Sequence, residues 1–355
     1  MTAKRFRLNG FVDIGNDMQY KKKMRARDQN GKKNGVRLAF VCVALVFVTS
    51  SCSINRFAVR AAANALSGDG TSGAFMGDND PDLVGDALPF VLKLYDVLIE
   101  QDPANAGLLL AAGSGYISYA NAFLQTPADM LGYEYFERAE YMRARAKNLY
   151  LRGRDMVLSG LDIRRPAFRD ALADPSSPLE MMRTTDVPYL YWAAAGWVGA
   201  YSVDPFDLEI GFTVPEAGRL MARAYELDPD FNDGAISEFY ISYYAGLPDG
   251  LGGSRVKARA AFERAVAATG GESAGPYVAL AVGVSVPEQN IDEFRDLLAS
   301  ALAVDPDANP NLRLLNTLNR RRAQWLLAHE DDFFLLFDDD WEDLDDSDDW
   351  DDRDR

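Results

Sequence analysis

Ala217-Gly-Arg-Leu-Met221-Ala-Arg-Ala224-Tyr-Glu-Leu227-Asp228-Pro229-Asp230 is the stretch on which the fold turns. Small residues at 217 and 224 flank a large one at 221, so on a helix all three share a face. There the small pair lets a second helix approach and Met221 fills its groove. The Asp-Pro-Asp that follows ends the helix, because proline cannot continue a helix interior and restricts the residue before it. The flanking Asp can then cap the next helix. The same small-x3-large-x2-small spelling occurs at Ala146-Tyr150-Gly153, at Ala258-Phe262-Ala265 and, with a bulkier first residue, at Phe294-Leu298-Ala301. Junctions of the same chemistry lie at Gln101-Asp102-Pro103-Ala104-Asn105 and Val304-Asp305-Pro306-Asp307-Ala308-Asn309. The last positions of the pattern lie 71, 41 and 36 residues apart, close to two, one and one units of a helix-turn-helix repeat of about 34 residues. Gly113-x2-Tyr116 supplies a first-helix counterpart. Apolar residues recur at three and four from Ile54 to Phe337, which predicts an all-α fold of divergent tetratricopeptide-like repeats, an α-solenoid, over 87–334. An irregular helical bundle is the competing architecture.

Upstream, Arg37 precedes an eleven-residue apolar run, Leu38 to Val48, and small residues lead to Cys52. A permanent bilayer-spanning helix needs about 20 apolar residues, so residues 1–52 read as a basic segment and a cleaved lipoprotein signal peptide. Cys52 would be the lipidated first residue, followed by an N-terminal helix and loop over 53–86. Val-Thr-Ser-Ser-Cys departs from the commonest Leu-Ala-Gly-Cys ending, and an ordinary signal peptide or a short anchor helix is the alternative. Met18 and Met24 are in-frame alternative starts. No folded structure is expected before residue 53.

The chain carries a net charge of −17. Residues 1–52 hold eleven Lys or Arg against three acids, so their removal takes the charge to −25. That charge opposes nucleic acid, anionic lipid surfaces and phosphate-rich ligands. Cys42 and Cys52 are the only cysteines and His329 the only histidine. Disulfides, zinc-cysteine sites and imidazole chemistry are therefore poorly provided for, and neither a cofactor nor a metal site is expected. Residues 331–355 hold fourteen acids against two arginines, and 335–355 reads as a disordered acidic tail.

Two aromatic clusters stand out. Tyr189, Tyr191, Trp192, Trp197 and Tyr201 alternate with Ala and Gly, and Phe239, Tyr240, Tyr243 and Tyr244 follow downstream. They either line a cavity for an apolar ligand or pack in the core.

Three motifs imitate catalytic or metal sites. Gly68-Asp-Gly-Thr-Ser-Gly73 spells a dinucleotide fingerprint without the strand that must precede it, and reads as a helix C-cap and loop. Gly271-Glu-Ser273-Ala-Gly275 spells a nucleophile elbow, again after a helical segment, with His329 as the sole base. Asp78-Asn-Asp80-Pro-Asp82 opens like a calcium loop, but Leu83 and Pro89 stand where glycine and glutamate are needed.

In their order, Cys52-Ser-Ile-Asn-Arg-Phe-Ala-Val-Arg60, Asp80-Pro-Asp-Leu-Val84, Ala87-Leu-Pro-Phe-Val-Leu-Lys-Leu-Tyr95, Gly113-Ser-Gly-Tyr-Ile-Ser-Tyr-Ala-Asn-Ala-Phe123 and Asn319-Arg-Arg-Arg-Ala-Gln-Trp-Leu-Leu327 resemble the TatT family. This is the lipoprotein T component associated with tripartite ATP-independent periplasmic (TRAP) transporters. The last motif is the most specific, and the acidic tail has no counterpart in the pattern. The resemblance implies a non-enzymatic periplasmic lipoprotein, anchored to the inner or outer membrane. It implies a homo-oligomer such as a trimer, with a central apolar pore through each protomer. The implied partner is a solute-binding protein of a TRAP system, with a small hydrophobic ligand passing between them. The rival reading is a tetratricopeptide-type scaffold lipoprotein that gathers envelope proteins.

Overall fold

The computed structural model describes residues 22–24 and 69–335, except 175 and 178. Residues 22–24 form a helical turn within a unit spanning 1–60, and everything below concerns the unit spanning 61–355. The signal segment, Cys52, the motif at 52–60 and the tail beyond 335 lie outside the described residues.

The described residues contain no strand. Their α-helices are α1 (Asp69–Met76), α2 (Pro81–Gln101), α3 (Ala106–Ala120), α4 (Thr126–Asp129), α5 (Phe136–Arg164), α6 (Phe168–Ala173), α7 (Val187–Val203), α8 (Leu208–Leu227), α9 (Phe231–Gly246), α10 (Arg255–Thr269), α11 (Gly275–Leu280), α12 (Ile291–Ala303) and α13 (Arg313–Ala328). π-Helical turns at Asn121–Gln125 and Ala281–Ser285 extend α3 and α11. All three Asp-Pro junctions fall between helices, ending α2, α8 and α12. Side chains satisfy the orphan amides at several helix starts: Asp80 accepts from Asp82 and Leu83, Asn105 from Leu108, and Asp207 from Glu209 and Ile210.

The small-large-small residues do what their spacing predicts. Ala146, Tyr150, Gly153, Ala217, Met221, Ala224, Ala258, Ala265, Phe294, Leu298 and Ala301 are buried, and Phe262 alone is half-buried. At Gly113 and Gly153 the backbones of α3 and α5 come so close that a Cβ on either would lie 2.6 Å from the other's carbonyl oxygen. α5 packs in turn on α7, α7 on α8 and α9, α9 on α10 and α11, and α12 on α13. One apolar core runs from Ile117 to Val284, and a second joins Ala274, Val278, Phe294, Leu298, Ala323, Leu326 and Phe334.

α13 packs back on α1 and α2. The three consecutive arginines of its motif divide the work. Arg320 donates to the carbonyls of Leu302 and Val304, closing the end of α12. Arg321 pairs in bidentate fashion with Asp82 at 3.1 and 3.3 Å, and Arg322 feels the charge of Asp129, as described below. Arg313 adds a bond to the Gly77 carbonyl at 2.9 Å.

Two boundaries differ from the sequence reading. Residues 69–73 belong to α1 rather than to a loop, because packing on α13 and the Arg313 bond after its C-terminus supply what local propensity lacks. The last helix, which Leu314, Leu318 and Trp325 on one face read as running from about Pro310 to Phe334, spans Arg313–Ala328, and Asn309 accepts from the Asn311 amide at 3.1 Å in the turn before it.

The α3 and α5 contact is testable. Gly113→Ala is expected to cost about 1–3 kcal/mol of unfolding free energy through overpacking, read from urea denaturation. Gly246→Ala, where a Cβ meets nothing within 4 Å, is the control expected to cost nothing.

Candidate functional site

α7 is buried on all sides but one. Tyr189, Leu190, Ala193, Ala194, Gly196, Trp197, Ala200 and Tyr201 are buried, whereas Tyr191, Trp192, Ala195, Val198 and Gly199 keep accessible surface. At 100° per residue the second set spans an arc of roughly 120°, a single stripe about 12 Å long.

At its Tyr191 end, the rings of Trp192 and Phe231 lie 5.2 and 5.4 Å from Tyr191. Phe231 is aimed there by an unusual turn. Asn232, Asp233 and Gly234 take φ of 49°, 54° and 84°, so the regular part of α9 starts after them. Asn, Asp and Gly are the residues that bear left-handed backbone at least cost.

Glu238 follows one turn into α9 and is half-buried. Desolvation alone pushes its carboxyl up to about 7, a shift that a side chain facing bulk water would not show. Burial also raises the Tyr191 hydroxyl, and Glu238 raises it further. A Cβ on Gly275 would sit 2.0 Å from Glu238 Oε1. The glycine that seemed to close a nucleophile elbow instead makes room for this carboxylate. The elbow itself has another explanation. Gly270 and Gly271, at φ of 59° and 84°, turn the chain after α10. Asn316 then pins the loop, accepting from the Ala274 amide at 2.9 Å and donating to the Glu272 carbonyl at 2.8 Å. His329 is engaged on its own helix, with Nδ1 2.8 Å from the Trp325 carbonyl and its ring stacked on Trp325.

The Gly199 end of the stripe touches a polar group. A Cβ on Gly199 would lie 2.4 Å from the Tyr150 ring. The Tyr150 hydroxyl donates to Gln125 Oε1 at 2.6 Å, and Gln125 Nε2 to Ser202 at 3.1 Å. Arg322 comes in beside Tyr150: desolvation lowers its pKa, opposed chiefly by Asp129. Asp129 is itself raised by desolvation against the pull of Arg322 and Arg143, the latter 3.2 Å away.

The aromatic residues singled out from sequence therefore separate. Tyr191 and Trp192 stand on the stripe. Tyr189, Trp197 and Tyr201 face the core, where Trp197 donates to Thr213 at 3.0 Å beneath Arg154 and Tyr189 lies under Arg164. Phe239, Tyr240, Tyr243 and Tyr244 stack among themselves at 5.1–6.1 Å, with Tyr225 beside Tyr240. Of these four, Phe239 and Tyr244 are half-buried. Phe231, Glu238, Arg322 and Asp129 were not picked out as site residues. Glu238 had a readable signal, as the sole charge in Ile236-Ser-Glu-Phe-Tyr-Ile-Ser-Tyr-Tyr244.

The suspected calcium loop is spent on local structure: Asp78 accepts from the Asp80 amide at 2.8 Å, Asp80 caps α2 and Asp82 takes Arg321. Among the described residues no cluster of His, Cys, Asp and Glu could hold a metal ion, and no helix is long and apolar enough to cross a membrane.

The described residues are thus all-helical, with a half-buried aromatic stripe on α7 and charged groups at its ends. Comparison with known families makes this specific. Residues 77–334 match the family described as TRAP transporter T-component, and the chain belongs to that family. It is thus an accessory component of an envelope transport system, in a family not known for enzymes. It is also 35% identical over 321 residues to a protein of Treponema pallidum (strain Nichols) described as uncharacterized, covering 86% of this chain and 99% of that one.

Because Glu238 is protonated more readily in the fold than in the unfolded chain, it favours folding at low pH, and that contribution is lost as pH rises from about 4.5 through about 7. Glu238→Gln, which keeps the shape without the charge, is therefore expected to raise the thermal midpoint at pH 8 by a few degrees and to leave it unchanged at pH 4. About 1 kcal/mol moves the midpoint of a large domain by about 2–4 °C.

Proposed function

We propose that this protein docks a periplasmic solute-binding protein of a TRAP system and assists the transfer of a small, mainly hydrophobic ligand along the stripe of α7. The observation that carries the reading is the coexistence, on one helix face, of accessible aromatic surface with strongly desolvated neighbours. Surface that is reachable yet dehydrated is what an apolar molecule needs. It loses water on entry and meets aromatic rings, at about 25 cal/mol per Å² of apolar area. Family membership over 77–334 supports the transport setting.

In this reading the helices are divergent tetratricopeptide-like repeats enclosing a pore. Cys52 carries the acyl chains that hold the protein at the membrane, each buried methylene adding about 0.8 kcal/mol. Self-association, as a trimer, would draw on exposed apolar side chains such as Tyr133, Phe206 and Phe212, which are 92%, 90% and 81% accessible.

Two experiments test this. Cys52→Ser should move the protein from the membrane fraction to the soluble fraction of the envelope, and retention at the membrane would refute the anchor. Ala195→Trp fills the middle of the stripe. It should abolish quenching of intrinsic tryptophan fluorescence by an apolar quencher that the unaltered protein takes up with its co-purified solute-binding protein. No uptake by the unaltered protein would sink the ligand path.

A further inference from the structure

The stripe has different electrical ends. At the Gly199 end the Arg322 charge is offset by Asp129. At the Tyr191 end the carboxylate of Glu238 faces a tyrosine hydroxyl, and among the described residues no cation is near enough to lower its pKa. α9, which carries Glu238, packs on α7, α8, α10 and α11. From those helices Tyr191 is the titratable group that senses it, and Gly275 is the residue against its Oε1. A desolvated carboxylate with neither an ion-pair partner nor a hydrogen bond among the described residues is costly to keep unless something completes it.

What would complete it is set by the surroundings. The ring centroids of Trp192 and Phe231 lie 5.2 and 5.4 Å from that of Tyr191, and aromatic rings attract an organic cation. A net charge of −17 concentrates cations rather than anions near the chain. A free metal ion would find a single carboxylate and no oxygen-rich cage. An organic anion would meet repulsion at Glu238.

We propose that the molecule received along α7 bears an alkylammonium group, and that Glu238 pairs with that cation next to Tyr191, whose ring stands with those of Trp192 and Phe231, while the apolar part lies along Ala195 and Val198. This rests on the passage proposed above and assigns it a ligand class. The left-handed turn at 232–234 then has a purpose, since it brings Phe231 against Tyr191 ahead of the carboxylate. Gly275 has one too, since a methyl there would displace the carboxylate from its place.

Octylamine, octanol and octanoate share a chain and differ in the head group, so calorimetric titration of the three against the full mature protein separates the possibilities. Octylamine should bind at least about tenfold more tightly than octanol, a difference of about 1.4 kcal/mol, and octanoate most weakly. Glu238→Gln should remove the amine's advantage and leave octanol unchanged. Gly275→Ala should weaken the amine alone. The amine's affinity should rise with pH through about 7 in the unaltered protein and stay level in Glu238→Gln, because the amine itself remains protonated there as lysine does. Unaltered octanol binding and circular dichroism show that each variant is folded. Equal binding of amine and alcohol, or an amine advantage that survives Glu238→Gln, overturns the assignment while leaving the passage standing. Preference for octanoate overturns it in favour of the Arg322 end. Binding of none of the three overturns the passage and the ligand class together.

Discussion

Close approach of helix backbones is the constraint from which the remaining geometry follows. Helix α7 touches α3, α5, α8 and α9, and it does so with Ala193, Ala194, Gly196 and Ala200 buried in its contacts. Gly113 and Gly153 bring α3 and α5 together in the same manner. Small residues at these points shorten interaxial distances and let dispersion contacts accumulate over backbone atoms. The large side chains of α7 are then left with two destinations. Tyr189, Trp197 and Tyr201 fill the space between helix pairs, and Tyr191 and Trp192 turn to the remaining side. The stripe is thus a by-product of packing before it is a site.

Polar contacts reinforce the packing of α13 on α1 and α2. Arg321 with Asp82 and Arg313 with the Gly77 carbonyl join α13 to the chain around α1 and α2. Asp82 is largely exposed, so that pair adds little energy by itself. Its value is geometric: it sets where α13 lies, and α13 carries Arg322 to Asp129 and Tyr150. Two motifs more than two hundred residues apart in sequence, at 80–84 and 319–327, thereby act on one arrangement.

Helix positions were legible because their causes are local. Asp-Pro junctions stop helices whatever lies around them, and the small-large-small spacing marks the buried face directly. The start of α1 was not legible, since its stability comes from α13 and its sequence is rich in residues of low helix propensity. Aromatic clusters could be found in the sequence but not sorted. Which of Tyr189 and Tyr191 faces the core depends on the rotation of α7 about its axis, and that is fixed by four packed helices, three of them not adjacent to it in sequence. Arg322 was legible only as part of the motif at 319–327, because nothing near it in the chain announces Asp129. The Ser273 motif failed for a physical reason, namely that a nucleophile elbow needs a strand to strain it, while the glycines here relax a turn between two helices.

Buried charge explains why the interior is better viewed as a working surface than as a stability device. Replacing a desolvated, unpaired carboxylate by an apolar group of similar size usually stabilises a protein, and Ile236, Phe239, Tyr240 and Ile241, near Glu238 in its own helix, are apolar or aromatic. Glu238 therefore runs against the local pattern of its own helix. Positions where one residue contradicts otherwise consistent packing are where function opposes stability. The cost is moderated by protonation, since a carboxyl titrating near 7 is neutral for part of the time at neutral pH and can shed or take up its proton without rearranging the helices around it. In the proposed transfer, a group poised in this way would hold a charged ligand loosely enough to release it to a partner protein.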